Sequence, residues 1–178
     1  DEPSIEIDDC YIGSAANISN ISQASFIGSA YFATTANCIF TVTNTSLAAF
    51  SDTDCPGPTV ELNPGPGTIQ TTDSNAIKVT VNSLPPGYYQ VCFGGASRVT
   101  TTAQRSIMAI NDGTTTAGQV STTFLTTSDA AFRVCAPFNY TSEANRAFEL
   151  FASSAANAIE IDLQTSNLRI IFDIYRFP

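Results

Sequence analysis

Histidine is absent from this sequence of 178 residues, and its absence removes several classes of active site. Ser–His–Asp and Cys–His catalysis both need an imidazole to move protons, so neither is available to this chain. A zinc site is disfavoured as well, because the cysteines include no CxxC pair and no histidine can complete a ligand set. The sequence therefore predicts a non-enzymatic protein without a bound cofactor or metal ion.

Positive charge is also scarce. One lysine and six arginines stand against 16 acidic residues, and the formal net charge is −9. Without a basic cluster, nucleic acid and anionic membranes are not expected as partners. No apolar run approaches the roughly 18 residues that a membrane-spanning helix needs, so membrane insertion is not expected either. Polarity comes instead from Ser, Thr, Asn and Gln, a composition common among β-rich extracellular and virion-surface proteins.

Helix-forming patterns are nearly absent, whereas strand patterns recur. Hydrophobic residues at 43% and aromatic residues at 10% indicate a globular chain, and its length fits one domain. Alternating apolar runs separated by turn residues are typical of a β-sandwich or barrel. The runs are Cys38–Thr43, Ile77–Asn82, Tyr88–Phe93, Arg105–Ile110, Gly118–Thr126, Ala131–Tyr140, Arg146–Phe151, Ala158–Leu163 and Asn167–Pro178. They amount to about eight to ten strands, the number found in a jelly roll.

Two stretches do not follow this pattern. Asp52–Thr68 contains four prolines and is expected to be an ordered, extended surface excursion, since proline restricts the chain. Residues 1–36 are rich in Ser, Ala and Asn, and we interpret them as an N-terminal arm or leading strand that packs on the domain or on a neighbour. Residues 37–178 then form the jelly-roll domain. Pro137, inside an apolar run, indicates an edge strand or a bulge.

The cysteines are odd in number and cannot all pair within one chain. They are Cys10, Cys38, Cys55, Cys92 and Cys135. Cys38 and Cys55 are 17 residues apart, and a disulfide between them would anchor the proline-rich loop that contains Cys55. Closing such a loop stabilises a chain by about 3 kcal/mol in the chain-entropy model. Spacing alone does not determine pairing, so this predicted disulfide leaves the unpaired alternative open. Cys92 and Cys135 lie in strand-like runs and are compatible with small buried hydrophobic residues. We expect Cys92 to be free, and the sequence leaves the pairing of Cys10, Cys92 and Cys135 open.

The run Asn167–Pro178 is unusual because both of its faces are apolar. With a period of two, one face comprises Leu168, Ile170, Phe172 and Ile174. The opposite face comprises Arg169, Ile171, Asp173, Tyr175 and Phe177. A surface strand normally exposes one polar face to water, so we expect this second face to be covered.

Three carboxylates are candidates for acid–base chemistry. Glu149, Glu160 and Asp162 contain the pair that a glycosidase trimming host polysaccharide would need. Glu160 and Asp162, however, alternate with apolar residues, as solvent-facing carboxylates on a strand do. Paired catalytic carboxylates need a cleft and a raised pKa, which this spacing does not indicate. Catalysis is therefore not predicted.

Several strings resemble a known group of proteins. They are DCPGPTVELNPGPGTIQTTD, AINDGTTTAG, RAFELFASSAANAIEI and FDIYRFP. Residues 37–178 resemble the C-terminal domains of tail-fibre and other virion surface proteins of bacteriophages, several of which are similar to the jelly rolls of tumour necrosis factor and C1q. The resemblance implies an all-β, TNF-like jelly-roll sandwich that assembles as a homotrimer. Ile171, Tyr175 and Phe177 would then contact neighbouring subunits; the alternative is that the N-terminal arm covers them.

The resemblance also implies a location on the virion surface, outside the cell. We expect the knob of a fibre or spike that attaches to a host-cell glycan or protein and contacts other virion proteins. The alternatives are a capsid decoration or structural fibre protein without receptor binding, and a secreted C1q-like ligand. Individual ligand-binding residues are not identified. Binding is expected on loops, and the candidates are those after Gly113, around Thr126–Asp129 and within Asn63–Thr68.

Overall fold

A computed structural model describes residues 25–33, 38–62, 65, 67–101, 104–124, 129–155, 157–164 and 169–177. The first strands are β1 (Ser25–Phe32), β2 (Ile39–Val42), β3 (Ala48–Ala49), β4 (Thr59–Leu62), β5 (Thr68–Ile69) and β6 (Lys78–Leu84). The others are β7 (Gly87–Val99), β8 (Gln104–Asn111), β9 (Thr116–Phe124), β10 (Ala130–Tyr140), β11 (Ala144–Ser153), β12 (Ile159–Asp162) and β13 (Ile170–Phe177). These residues contain no helix capable of spanning a lipid bilayer.

The strands form two antiparallel sheets. The seven-stranded sheet has the order β2-β12-β7-β13-β1-β4, with β10 also paired to β7. The six-stranded sheet has the order β5-β6-β11-β8-β9, with β3 also paired to β11. The chain crosses between the sheets after β2, β3, β4, β6, β7, β9, β10 and β11, and β13 returns to lie between β1 and β7. This winding is that of a jelly roll, so the predicted all-β jelly-roll fold is confirmed.

The core lies between the two sheets and is filled by every second residue of each strand. In β13, Ile170, Phe172 and Ile174 have no exposed surface. The Phe172 ring lies 5.2 Å from that of Phe93 in its own sheet and 6.1 Å from that of Phe148 in the opposite sheet, centroid to centroid. Aromatic pairs at such distances add about 0.5–1.5 kcal/mol beyond the area that they bury. These contacts fix which face of the seven-stranded sheet points inward and which is left outside.

The Asn111-Asp112-Gly113 stretch turns the chain from β8 into β9, as its sequence predicts. Gly113 has a φ of 91°, a conformation that favours glycine. The Asn111 side-chain oxygen accepts a hydrogen bond from the Gly113 amide at 2.7 Å. Asp112 Oδ1 accepts from the amides of Thr114 at 3.0 Å and Thr115 at 2.7 Å. These local bonds hold the turn in one shape.

The proline-rich stretch differs from its prediction. A surface excursion is expected over Asp52–Thr68, but β4 lies inside it and pairs with β1 at the edge of the seven-stranded sheet. Pro58 precedes this strand and Pro64 follows it, so the prolines flank the ladder and do not interrupt it. Pro137 lies in β10, whose described ladder is with β7 alone, in agreement with the predicted edge position.

The segment 1–36 contributes at least one strand to the sandwich. β1 pairs with β13 on one side and with β4 on the other, so this part of the predicted arm or leading strand is internal to the sheet. Residues 1–24 and 34–36 lie outside the described residues. The thirteen described strands exceed the predicted eight to ten because several, such as β3 and β5, are only two residues long.

Candidate functional site

The outer side of β13 carries exposed apolar residues, unlike its inner side. Ile171 is 44% exposed and Phe177 is 40% exposed, although both belong to a strand with neighbours on both edges. Tyr175 lies between them and is partly covered by Phe26 of β1, with the ring centroids 5.3 Å apart. The structure thus places all three predicted interface residues on one side of the sheet. What contacts them remains a prediction.

Neighbouring strands extend this apolar surface. Tyr88 of β7 is 59% exposed and lies directly opposite Phe177 in the ladder, while Tyr31 of β1 lies opposite Ile171. We call the outward residues of these three strands the aromatic face: Phe26, Tyr31, Tyr88, Ile171, Tyr175 and Phe177. Tyr88 was not predicted as a contact residue, although its position in the sequence indicates an outward aromatic side chain. In the Tyr88–Phe93 run, Tyr88 is an aromatic residue on the opposite side from Tyr89, Val91 and Phe93, all of which are buried.

A disulfide lies at the centre of this side of the sheet. Cys92 of β7 and Cys135 of β10 are directly opposite each other in the ladder, with their Cα atoms 4.1 Å apart and their sulfur atoms bonded. The expectation that Cys92 is free is therefore wrong. It failed because spacing along the chain does not reveal the register that brings two separate strands together.

Asp173 lies beside this disulfide, opposite Cys92 on the other edge of β7. Its Oδ2 is 3.7 Å from a guanidinium nitrogen of Arg133. Burial raises the pKa of Asp173 above its ordinary value; Arg133 opposes the shift and Glu61 adds to it. The protonated carboxyl group is thus favoured more in the folded chain than in the unfolded one.

A cavity of about 600 Å³ opens at the Phe177 end of the aromatic face. Its lining is mostly apolar and comprises Tyr88, Tyr89, Gln90, Pro137, Phe138, Asn139 and Phe177. A recess of this size is within the usual range for sites that accept a bulky apolar group, about 300–1,000 Å³. The aromatic face therefore combines flat exposed rings with a recess at one end.

The predicted disulfide between Cys38 and Cys55 is also present in the structure. Cys38 and Cys55 are bonded, with Cα atoms 4.9 Å apart, well inside the limit of about 7 Å for such a bond. Beside them, Asp52 accepts hydrogen bonds from the amides of Ile39 at 2.7 Å and Asp54 at 2.9 Å. The bond therefore ties the start of the proline-rich stretch to the strand that follows Cys38. Cys10 lies outside the described residues.

The candidate catalytic carboxylates do not form a common site. Asp162 is only 4% exposed, so the interpretation of it as solvent-facing is wrong. Arg98 binds both Asp162, at 2.8 Å, and Glu160, at 3.3 Å. These are structural ion pairs between β7 and β12, which explains why two carboxylates alternate with core residues without facing water.

Glu149 lies in the other sheet, opposite Lys78 in the ladder. Burial raises the pKa of Glu149, Lys78 opposes the shift and Asp73 adds to it. Lys78 is itself paired with Asp73 at 3.2 Å. Across the described part of the chain, no three His, Cys, Asp or Glu side chains are grouped so that they could hold a metal ion.

Comparison with known proteins adds no family assignment. No protein-family profile and no curated protein matches the chain. Among solved structures it is similar to the PRD1 vertex protein P5, with a TM-score of 0.46 and 14% identity over 88% of this chain and 100% of that one. Eiger TNF from S. frugiperda gives a TM-score of 0.42 and 12% identity, covering 86% and 94%. Murine APRIL gives 0.45 and 9%, covering 84% and 98%.

With TM-scores below 0.5, these similarities are too distant for a function to be transferred to this chain. The jelly-roll assignment rests on the strand order of the chain itself.

Proposed function

We propose that this protein is a virion surface protein that self-associates through its aromatic face, as a homotrimer, and attaches the particle to a host cell. The aromatic face is the observation that supports the proposal. Monomeric soluble proteins rarely leave contiguous apolar surface in water, and such surface usually marks a contact site. The resemblance of residues 37–178 to phage tail-fibre domains supports the location on a virion. Two disulfides support it as well, since such bonds persist outside reducing compartments.

Charge makes a second copy of the chain the favoured occupant of the aromatic face. The whole chain carries a net charge of −9, so copies of it repel one another at long range. Around the aromatic face, by contrast, the carboxylates of Asp173 and Glu61 are matched by the guanidiniums of Arg133 and Arg169, the last of which lies over the Tyr31 ring at 4.8 Å. Among the described residues, this side therefore presents no excess of negative charge to a second copy. Closed symmetry then hides the apolar residues of every subunit.

Sedimentation of the full chain tests the association. We expect a species of three times 18.8 kDa at micromolar concentration. Ile171→Asp combined with Phe177→Asp should convert it to monomer, because each change places a charge against apolar surface. Ile107→Asp is the matched control: Ile107 is 38% exposed, but on the outer side of the six-stranded sheet. A monomeric native chain, or equal dissociation by the control, contradicts the proposed contact.

Attachment is tested separately, with particles and cells. The purified chain should compete with intact particles for adsorption to host cells, because several copies per particle convert weak single-site binding into firm attachment. If the purified chain leaves adsorption unchanged, although the same protein is found on the particle surface, the result favours the decoration role. The aromatic-face variants separate the two questions, since they remove association without touching the loops.

A further inference from the structure

A polar cavity of about 330 Å³ lies at the end of the sandwich, where the β8–β9 turn meets the connection from β10 to β11. Thr114 and Thr115 of the turn, Asn139 of β10 and Thr141 after it form its exposed polar rim. Arg146 of β11 supplies its only basic group among the described lining residues. The turn after Gly113 is one of the loops on which the sequence predicts binding. The aromatic face does not include this cavity.

Arg146 is held in place but has no acidic partner among the described residues. Its guanidinium carbon lies 4.1 Å from the centroid of the Tyr140 ring, a cation–π contact that orients the flat group. None of the ion pairs formed by the described residues involves Arg146. Its Nε is buried without a hydrogen-bond partner in that same part of the chain. The Nε is itself enclosed, so an acidic ligand in the cavity would be bound by the other nitrogens of the guanidinium.

Asp112, the carboxylate in the cavity, is already committed to other donors. Its Oδ1 accepts from the Thr114 amide at 3.0 Å, the Thr114 hydroxyl at 2.8 Å and the Thr115 amide at 2.7 Å. Its Oδ2 accepts from the Tyr140 hydroxyl at 2.9 Å. With both oxygens occupied, Asp112 shapes the turn. Arg146 is therefore the residue that supplies positive charge to the cavity.

We propose that this cavity binds an acidic sugar of the uronic acid type, with its carboxylate on Arg146. A guanidinium fork matches a carboxylate in a two-bond geometry that a neutral hydroxyl cannot reproduce. The threonine hydroxyls and the Asn139 amide on the rim supply the mixed donors and acceptors that sugar hydroxyls need. The volume is at the lower end of ligand sites, about 300–1,000 Å³, and so suits one small polar unit. The inference rests on the proposed attachment function and names its ligand class.

Amide chemical-shift titration of the full chain tests this site with defined probes. Methyl glucuronoside and methyl galacturonoside should shift the amides of Thr114, Thr115, Asn139 and Thr141. Their neutral counterparts, methyl glucoside and methyl galactoside, should bind about ten- to hundredfold more weakly, since a hydrogen bond to a charged group is involved. Equal binding of acid and neutral sugars, or equal shifts with inorganic phosphate, overturns the uronic acid assignment. Absence of shifts at these amides overturns the site.

Arg146→Gln should lower the affinity for the uronic acids to that for the neutral sugars. Arg105→Gln is the matched control: Arg105 lines another cavity of about 330 Å³, but its guanidinium is bonded to the Ser121 hydroxyl. If Arg146→Gln unfolds the chain, Thr141→Ala, which alters only the exposed rim, provides the second variant and should weaken binding of all four sugars. Unchanged affinity in a folded Arg146→Gln variant contradicts the proposal.

These titrations use neither particles nor cells. Uronic acid binding by a chain that does not compete for adsorption would therefore reject the attachment function while retaining the site. Competition for adsorption without uronic acid binding would reject the site alone.

Discussion

The two sheets of this sandwich share one core, yet their outer sides differ. The outer side of the seven-stranded sheet exposes Ile171, Phe177 and Tyr88, with a disulfide at its centre. The outer side of the six-stranded sheet carries Lys78 opposite Glu149, and its exposed Ile107 is paired with Ser121. The amino-acid composition of the chain as a whole does not distinguish these two outer sides. The difference shows which sequence feature identifies an exposed apolar surface. It is an apolar residue at a position where the alternation of the strand predicts a polar, solvent-facing one. The total apolar content of the strand does not identify it.

Removing the disulfide of the seven-stranded sheet should have the largest effect on stability. Cys92 and Cys135 are separated by 43 residues, and closing such a loop contributes about 4 kcal/mol to the unfolding free energy in the chain-entropy model. Replacing both with Ala should lose about this amount, against about 3 kcal/mol for Cys38 and Cys55, which are 17 residues apart. Urea unfolding at one fixed protein concentration measures both. Equal midpoints for the Cys92/Cys135 variant and the native chain contradict the expectation.

Asp112→Asn should have the next largest effect. Burial alone would raise the pKa of Asp112, but the hydrogen bonds from Thr115, Thr114 and Tyr140 together lower it below 3.8. A lowered pKa stabilises the fold at neutral pH, and this contribution is lost as the pH falls below about 4. The variant should lose about 1–3 kcal/mol at pH 7 through poorly satisfied donors. The gap between variant and native chain should narrow in acid; a gap that is constant with pH contradicts the assignment.

Asp173→Asn should act in the opposite direction, and more weakly. The pKa of Asp173 is raised in the folded chain, so its charge costs stability once the pH rises through that value. Replacing it with Asn should therefore slightly raise the thermal midpoint at pH 7, by less than Asp112→Asn lowers it. The gain should vanish in acid, where the native carboxyl is protonated. Loss of stability at neutral pH would show that the pair with Arg133 dominates over burial.

The smallest change in folding stability is expected from two matched substitutions, Ile107→Thr and Ile171→Thr. Each removes an exposed apolar group, so the unfolding free energy of the monomer should change by no more than about 0.5 kcal/mol. Only Ile171→Thr should weaken self-association, because only Ile171 lies on the aromatic face. Sedimentation across a concentration series separates the two variants. Equal weakening in both would remove the distinction between the two outer sides.

The fold could be predicted because alternation is a local property of the sequence. The period-two pattern in Tyr88–Phe93 and in β13 is readable without knowing which strands pair, and it identified the buried residues of both. β4 was missed because its flanking prolines dominate the composition, although neither lies inside the strand. Apolar content and turn residues are properties of single segments. They therefore identify individual strands well, but they do not reveal which short strands pair at the edge of a sheet.

The candidate sites were predicted less well because they depend on register. Cys92 meets Cys135, and Arg98 reaches Asp162, only because separate strands are aligned residue by residue. Ile171 and Phe177 were found because one strand contains them both. Arg146 gave no signal of its own: its meaning comes from the Tyr140 ring and the turn at Asp112, which lie on other strands and connections. Such constellations require the topology as well as the pattern.

The position of β13 between β1 and β7 has a consequence for how the chain reaches its native state. β1 and β13 lie at opposite ends of the described chain, so their pairing has a very high contact order, and such folds are slow to form. Until β13 has been synthesised and inserted, the facing edges of β1 and β7 have no partner, and the core residues behind them are open to water. The incomplete chain is therefore prone to aggregation during that interval. The aromatic face does not exist before this step, so the self-association proposed above would have to wait until each chain has finished folding.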